Sequence, residues 1–174
     1  MMFIFYSVPS WFYYNFIEYL LHTLSHSYNY GTYIYKLHKK HHTIHYPITK
    51  LMSISPYKTN YYLYIISDGT IAHGLPVLGI IYLNYKLLDY DIFINISCWL
   101  IINAYFSDYL HTEIHTQNSW LEKYEWFQKK RELHLIHHKK TSKNINMMCS
   151  FIDKIFNTYE NNIIASSDSH NPNN

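Results

Sequence analysis

The apolar residues of this chain fall into three long runs, each of which favours a helix. The first run, Phe3 to Leu21, is aliphatic and aromatic and is interrupted by Pro9 and Glu18. The second runs from Tyr61 to Leu83, and the third, Ile92 to Ser107, contains no formal charge. A bilayer crossing needs roughly 20 residues of helix, which the second and third runs approach. The pattern predicts an all-α integral membrane bundle with a transmembrane hairpin, preceded by a membrane-embedded or interfacial helix.

Lysines mark the two sides of this hairpin. One group follows the first run, and a second follows the third run: Lys36, Lys39 and Lys40, then Lys129, Lys130, Lys139, Lys140 and Lys143. The positive-inside rule places both groups on the cytosolic side. An even number of crossings must then separate them, and the hairpin supplies two.

The composition narrows the class of protein. At 174 residues the chain fits one domain, which we expect over residues 1–159, followed by a polar, disordered tail over 160–174. Charged residues make up 15%, well below the roughly 25% of ordinary globular domains. The net charge of +2 does not indicate nucleic-acid binding. Cys98 and Cys149 are too isolated for a disulfide framework or a thiolate metal site.

The histidines are the candidate functional residues, because ten of the 13 form four tight clusters. The clusters have spacings of four residues, or of three and four together: His22 and His26; His38, His41 and His42; His111 and His115; His134, His137 and His138. On a helix these spacings place imidazoles on one face, within reach of a shared ion. Ten nitrogen ligands exceed the needs of one ion, so two metals are expected.

Carboxylates are scarce around these histidine boxes, so an all-nitrogen site is expected. Neutral ligands keep a metal pair electrophilic, which favours iron and O2 chemistry, although zinc could occupy a purified sample. A zinc peptidase is disfavoured because Glu113 does not directly follow His111. Glu18 and Asp108 each precede a box by one helical turn and are candidates to orient a ligand ring. For Glu18 the alternative is an ordinary helix-surface charge.

The boxes and their flanks resemble the membrane fatty acid hydroxylase and sterol desaturase superfamily, from about Phe16 to Tyr159. Glu18-Tyr19 is similar to the family's lead-in to the first box, and Asp108 to the family's Asp before the third. The segment from Ser150 to Thr158 resembles the family's closing Trp-Asp-Arg-x-Phe-Gly-Thr. Asn146 and Asn157 stand where glycines are usual, and we expect asparagine to tolerate a left-handed backbone there.

The resemblance implies a di-iron site held by all ten box histidines, which uses O2 and two external electrons to hydroxylate an unactivated C–H bond of a fatty acyl or sterol-like lipid. It also implies a separate electron donor of the cytochrome-b5 type and a multi-pass protein of the endoplasmic reticulum, with its boxes on the cytosolic side. A sterol desaturase or methyl oxidase of the same superfamily stays open, as does a metal-binding protein without turnover.

Overall fold

The computed structural model describes residues 2–30, 32–54 and 68–161, and the long regular elements within these ranges are helices joined by loops. The α-helices are α1 Met2–Phe5, α2 Ser7–Ser25, α3 Thr32–Lys40, α4 Asp68–Leu87, α5 Tyr90–Ile114, α6 Glu125–Lys139 and α7 Ser150–Ile155. A π-helical turn, His41–His45, continues α3, and short 3-10 turns cover Tyr28–Tyr30 and Trp120–Lys123. Within this described part the chain has no strand, so the predicted all-α class is confirmed.

The three predicted runs correspond to helices with shifted bounds. The first run forms α1 and α2, and α2 extends into the first box instead of ending at residue 21. The second run is described only from Asp68 onward, where α4 begins. The third lies inside the longer α5, which also carries the third box. None of the helices in the described ranges combines the length and the apolar character that a bilayer crossing requires.

Helices α2 and α5 form the centre of the packing. Helix α5 contacts α2, α4 and α6, while α3 packs between α2 and α4. Between α2 and α5 the buried residues include Tyr14, Ile17 and Leu100. This arrangement brings the ends of α2, α3 and α5 together at one end of the bundle, and α6 closes that end.

Arg131 joins the helices of the third and fourth boxes. Its guanidinium donates hydrogen bonds to the backbone carbonyl oxygens of Glu113 and Thr116, at 3.1 and 2.9 Å. These carbonyls lie at the C-terminal end of α5, where the last carbonyl oxygens have no N–H partner within the helix. A cation that caps them also interacts favourably with the helix dipole. The only arginine of the chain therefore fixes α6 against the end of α5.

The loop between α6 and α7 is held by Asp153. Its carboxylate accepts hydrogen bonds from the backbone N–H of Ile145 at 2.8 Å and from the Thr158 hydroxyl at 2.7 Å. The expected left-handed backbone occurs at Asn157, with φ 56°, but not at Asn146. The prediction for Asn146 was wrong because its side chain, rather than its backbone, serves the fold. Asn146 donates to the Asn15 carbonyl oxygen and accepts from the Cys149 N–H.

The predicted boundary at residue 159 stays a prediction, and residues 162–174 of the predicted tail lie outside the described ranges. Glu160 is attached to the domain. Its backbone N–H donates to the Asn144 side chain at 2.9 Å, and its carboxylate pairs with Lys140.

Candidate metal centre

All four boxes meet at the end of the bundle where α2, α3, α5 and α6 converge. His22 lies in the last turn of α2 and His26 caps its C-terminus. The third box has the same arrangement at the end of α5, where His111 occupies the last turn and His115 the cap. The second box ends α3 and enters the π-turn, and the fourth lies on α6. Rings from segments far apart in sequence thus face one another.

The ten histidines separate into two groups of five. Group A consists of His22, His26, His38, His42 and His137, and group B of His41, His111, His115, His134 and His138. Within each group the candidate ligand nitrogens lie within 4.8 Å of one another. Each predicted box histidine lies in one of these two groups, which could each hold a metal ion, and the binding of two ions stays a prediction.

The closest approaches are between Nε2 atoms. In group A the Nε2 of His38 lies 3.0 Å from that of His26 and 3.1 Å from that of His22. In group B the Nε2 of His134 lies 3.0 Å from that of His115 and 3.2 Å from that of His138. Two nitrogens bound at right angles to one ion, each about 2.1 Å from it, are separated by about 3.0 Å. The spacing therefore fits nitrogens arranged around a shared metal ion.

Each three-histidine box contributes to both groups. His41 belongs to group B and its neighbour His42 to group A, and likewise His138 belongs to group B and His137 to group A. Successive residues on a helix point in different directions, so a doublet can serve two positions. The doublet His41-His42 of the second box lies in the π-turn. In this turn the hydrogen bond spans five residues, from the Tyr46 N–H to the His41 carbonyl oxygen at 2.9 Å. Such π-turns are frequent at functional sites.

Backbone carbonyls fix the outward nitrogen of three rings. The Nδ1 of His115 donates to the Leu51 carbonyl at 2.7 Å, that of His137 to Lys143 at 2.8 Å, and that of His138 to Tyr46 at 3.1 Å. A carbonyl only accepts, so Nδ1 carries the proton and each neutral ring directs a bare Nε2 lone pair inward. The donor set thus fits metal cations. None of these three carbonyls was anticipated from the sequence, because the residues that supply them have no distinctive side chain.

Burial keeps the rings neutral. It lowers the pKa of His26 and of His115 to about 4 and that of His42 to about 3. Burial, followed by the charges of neighbouring imidazoles, also lowers the pKa values of four more rings: His41, His134, His137 and His138. Protonation would destroy the lone pair that a metal requires, so these shifts preserve ligand capacity near neutral pH.

The acidic residues near the boxes occupy distinct positions. Glu18 accepts a hydrogen bond from the Met147 N–H at 2.9 Å and faces the Ser107 hydroxyl at 3.5 Å. Glu18 and Asp108 both line a cavity beside the histidines, and the expectation that they orient ligand rings stays a prediction. Burial raises the pKa of Glu18 to about 8. Glu113 instead accepts a hydrogen bond from the Ser119 hydroxyl and belongs to neither group of histidines.

The cavity lies between α2, α4 and α5 and has a volume of about 370 Å³. Its walls are mainly apolar, with Ile17, Ile81 and Ala104 among them, and they also include His22, His38 and His111. Both groups therefore border it, group A through two rings and group B through one. Apolar cavities of roughly 300–1,000 Å³ with a few convergent polar groups are typical of small-molecule sites. A lipid slot between helices is expected from the family resemblance, but the sequence did not identify the residues that line this cavity, since helix packing brings them together.

The fatty acid hydroxylase family model matches residues 8–158, which include all four boxes and the closing segment. No curated protein and no solved structure matches the chain significantly.

Proposed function

The chain belongs to the fatty acid hydroxylase family, and we propose on this premise that it is a membrane-bound di-iron oxygenase that hydroxylates an unactivated C–H bond of a lipid. The observation that carries the proposal is the contact between an apolar cavity and both groups of five imidazoles. A site that lacked the cavity would suggest metal storage, and a cavity without the rings would suggest lipid binding alone.

The residues of groups A and B would hold the two ions through Nε2. Iron, when bound there, would allow O2 to be reduced and would supply the oxidant that cleaves the C–H bond. In the overall balance a C–H bond becomes C–OH, and the second oxygen atom leaves as water with two protons and two electrons. No carboxylate belongs to either group, so the ligands add no negative charge to the ions.

The protein itself positions the lipid and limits water. The cavity walls would hold an acyl or sterol-like chain by apolar contact, with its reacting carbon beside His22, His38 and His111. Around the histidines the packing is tight, since His137 is fully buried and His115 is 1% exposed. Exclusion of water from such a site protects reactive species from side reactions.

A membrane supplies such a substrate directly. Helix α2 presents an exposed apolar row at four-residue spacing: Val8, Phe12, Phe16, Leu20 and Leu24. Helices α4 and α5, the predicted hairpin, add further exposed apolar residues, among them Leu78 and Ile101. We propose that these faces contact lipid in the endoplasmic reticulum, with the boxes on the cytosolic side.

Two electrons must come from outside the chain, and a cytochrome-b5-type donor is the proposed source. Several lysines beside the boxes are exposed, Lys39 and Lys139 among them, and would attract an acidic donor surface.

Lipid mass spectrometry of cells that express the protein tests the proposal. Wild type is compared with His137→Ala from group A, His134→Ala from group B, and His170→Ala, a histidine outside the boxes. We expect a lipid with one added oxygen atom in wild type and His170→Ala, and its loss in both box variants. A product that has lost two hydrogens would indicate a desaturase, and bound metal without any oxidised lipid would indicate a protein without turnover.

A further inference from the structure

Tyr46 contacts three of the five rings of group B. It directly follows the π-turn and is 2% exposed. Its ring lies flat on the His115 ring, with centroids 3.9 Å apart and planes at 15°, and meets the edge of His41 at 5.2 Å. Its backbone carbonyl accepts the hydrogen bond from His138 Nδ1.

The residues after Tyr46 continue along the same group. We call residues 46–53 the strap. Leu51 accepts from Nδ1 of His115, and the Ser53 N–H donates to the His115 carbonyl at 2.9 Å. The Gln117 N–H returns a bond to the Ser53 carbonyl at 2.8 Å, which completes a short parallel bridge between Ser53 and Thr116. His115 is therefore held on its face, at its outer nitrogen and through its backbone.

These contacts restrict the movements that matter for a metal ligand. The bonds to Leu51 and Tyr46 set the tautomer of His115 and His138, so that Nε2 is the bare nitrogen. The flat contact with Tyr46 restricts rotation of the His115 ring about its Cβ–Cγ bond, which the single Nδ1 hydrogen bond leaves partly free. Partners that orient ligands in this way commonly contribute about 10- to 100-fold to metal affinity.

We propose that Tyr46 is a positioning residue that selectively strengthens metal binding by group B. The inference deepens the proposed function, because it rests on the two groups being metal sites. Among the box histidines, the rings that contact Tyr46 in the described part of the chain belong to group B: His41, His115 and His138.

The test measures Co²⁺ binding to metal-free full-length protein by visible absorption and by metal analysis after equilibration with a competing chelator. We expect wild type to bind two ions and Tyr46→Leu to bind one of them about 10- to 100-fold more weakly. Tyr46→Phe keeps the flat ring and should restore both affinities. Tyr19→Leu is the matched control, since Tyr19 is also buried and stacked, but on Phe156 at 4.7 Å.

Variants that break one group show which ion is affected. In a His26→Ala background, where group A is broken, Tyr46→Leu should weaken the remaining ion. In a His134→Ala background, where group B is broken, Tyr46→Leu should have no further effect. Circular dichroism verifies that each variant is helical, and Tyr46→Met, which preserves buried volume without a flat ring, replaces Tyr46→Leu if the latter does not fold.

Three results would overturn the inference: unchanged affinities in Tyr46→Leu, an equal loss at both ions, or the same selective loss in Tyr19→Leu. A wild-type protein that binds fewer than two ions would contradict the proposed function instead, whatever Tyr46 does.

Discussion

The side-chain amide of Asn146 donates a 2.7 Å hydrogen bond to the backbone carbonyl of Asn15, which lies 131 residues earlier in the chain. Both residues are buried. The bond connects the loop behind the fourth box to the helix that carries the first box. Glu18 makes a parallel connection through the Met147 N–H. The relative position of two boxes therefore depends on one short loop.

Asn146→Ala should destabilise the fold by about 1–3 kcal/mol, because it leaves the buried Cys149 N–H without its acceptor and removes the bond to Asn15. Denaturant unfolding of the purified protein measures the change. Asn95→Ala is the control, since Asn95 makes a local bond to Asp91 within α5. An equal loss of stability in Asn95→Ala would show that the connection to α2 has no special importance.

Substitution by glycine should change the stability of the fold differently at two asparagines that have a left-handed backbone, Asn144 and Asn157. Asn157→Gly relieves a φ of 56° at an exposed position, so we expect a gain of about 0.5 kcal/mol or no loss. Asn144→Gly relieves a φ of 49° but deletes side-chain bonds to Leu133 and Glu160. A net loss of stability is therefore expected there. Thermal unfolding of both variants tests the contrast, and similar shifts of the midpoint would contradict it.

Glu18 should make the protein less stable as pH rises. Its pKa is about 8 in the folded state, against 4.5 as the ordinary value, so the folded state binds more protons between these pH values. Stability from this group is fully present below pH 4.5 and declines up to about pH 8, by at most about 1.4 kcal/mol per pH unit. Glu18→Gln retains an acceptor for Met147 and removes the titration. Unfolding of both proteins is measured from pH 6 to 8.5. As pH rises, wild type should lose stability relative to Glu18→Gln, and a difference that does not change with pH would refute the raised pKa of Glu18.

The neighbours His41 and His42 should have separable effects on metal content. Because they belong to different groups, we expect each single alanine variant to lose one ion and the double variant to lose both. Metal analysis after equilibration with Zn²⁺ measures the stoichiometry. Loss of both ions in each single variant would mean that the ten rings act as one cooperative site.

Ala104→Phe should shorten the lipid that the cavity accepts. Ala104 lines the cavity on α5, and a benzyl group there would fill part of its 370 Å³. Ile102→Phe is the matched control on the same helix, because Ile102 is 45% exposed and does not line the cavity. The chain lengths of oxidised lipids from cells expressing each variant provide the measurement. An identical product profile for Ala104→Phe and wild type would show that the lipid lies elsewhere.

The sequence identifies all ten candidate ligands because their spacing is a local feature of the chain. A spacing of four residues within His111 and His115 indicates a shared helix face before any tertiary contact is known. The helical class follows for the same reason, from runs of apolar residues.

Contacts that depend on the packing of distant segments were not predictable. No periodicity indicates that His41 joins His134 while His42 joins His137, because the π-turn sets their directions. Tyr46 was overlooked in a chain with 20 tyrosines, where aromatic abundance hides a single stacked ring. For Asn146, a comparison of residue types suggested a backbone role, whereas its two side-chain bonds become visible only in the fold.

The doublets His41-His42 and His137-His138 also link the two groups covalently. Neighbouring α-carbons are held about 3.8 Å apart by a trans peptide bond, whatever the surrounding helices do. A displacement of α6 or of the π-turn therefore moves rings of both groups together. Peptide geometry therefore constrains the two ligand sets in addition to helix packing, so thermal loosening of the bundle should weaken both sets together.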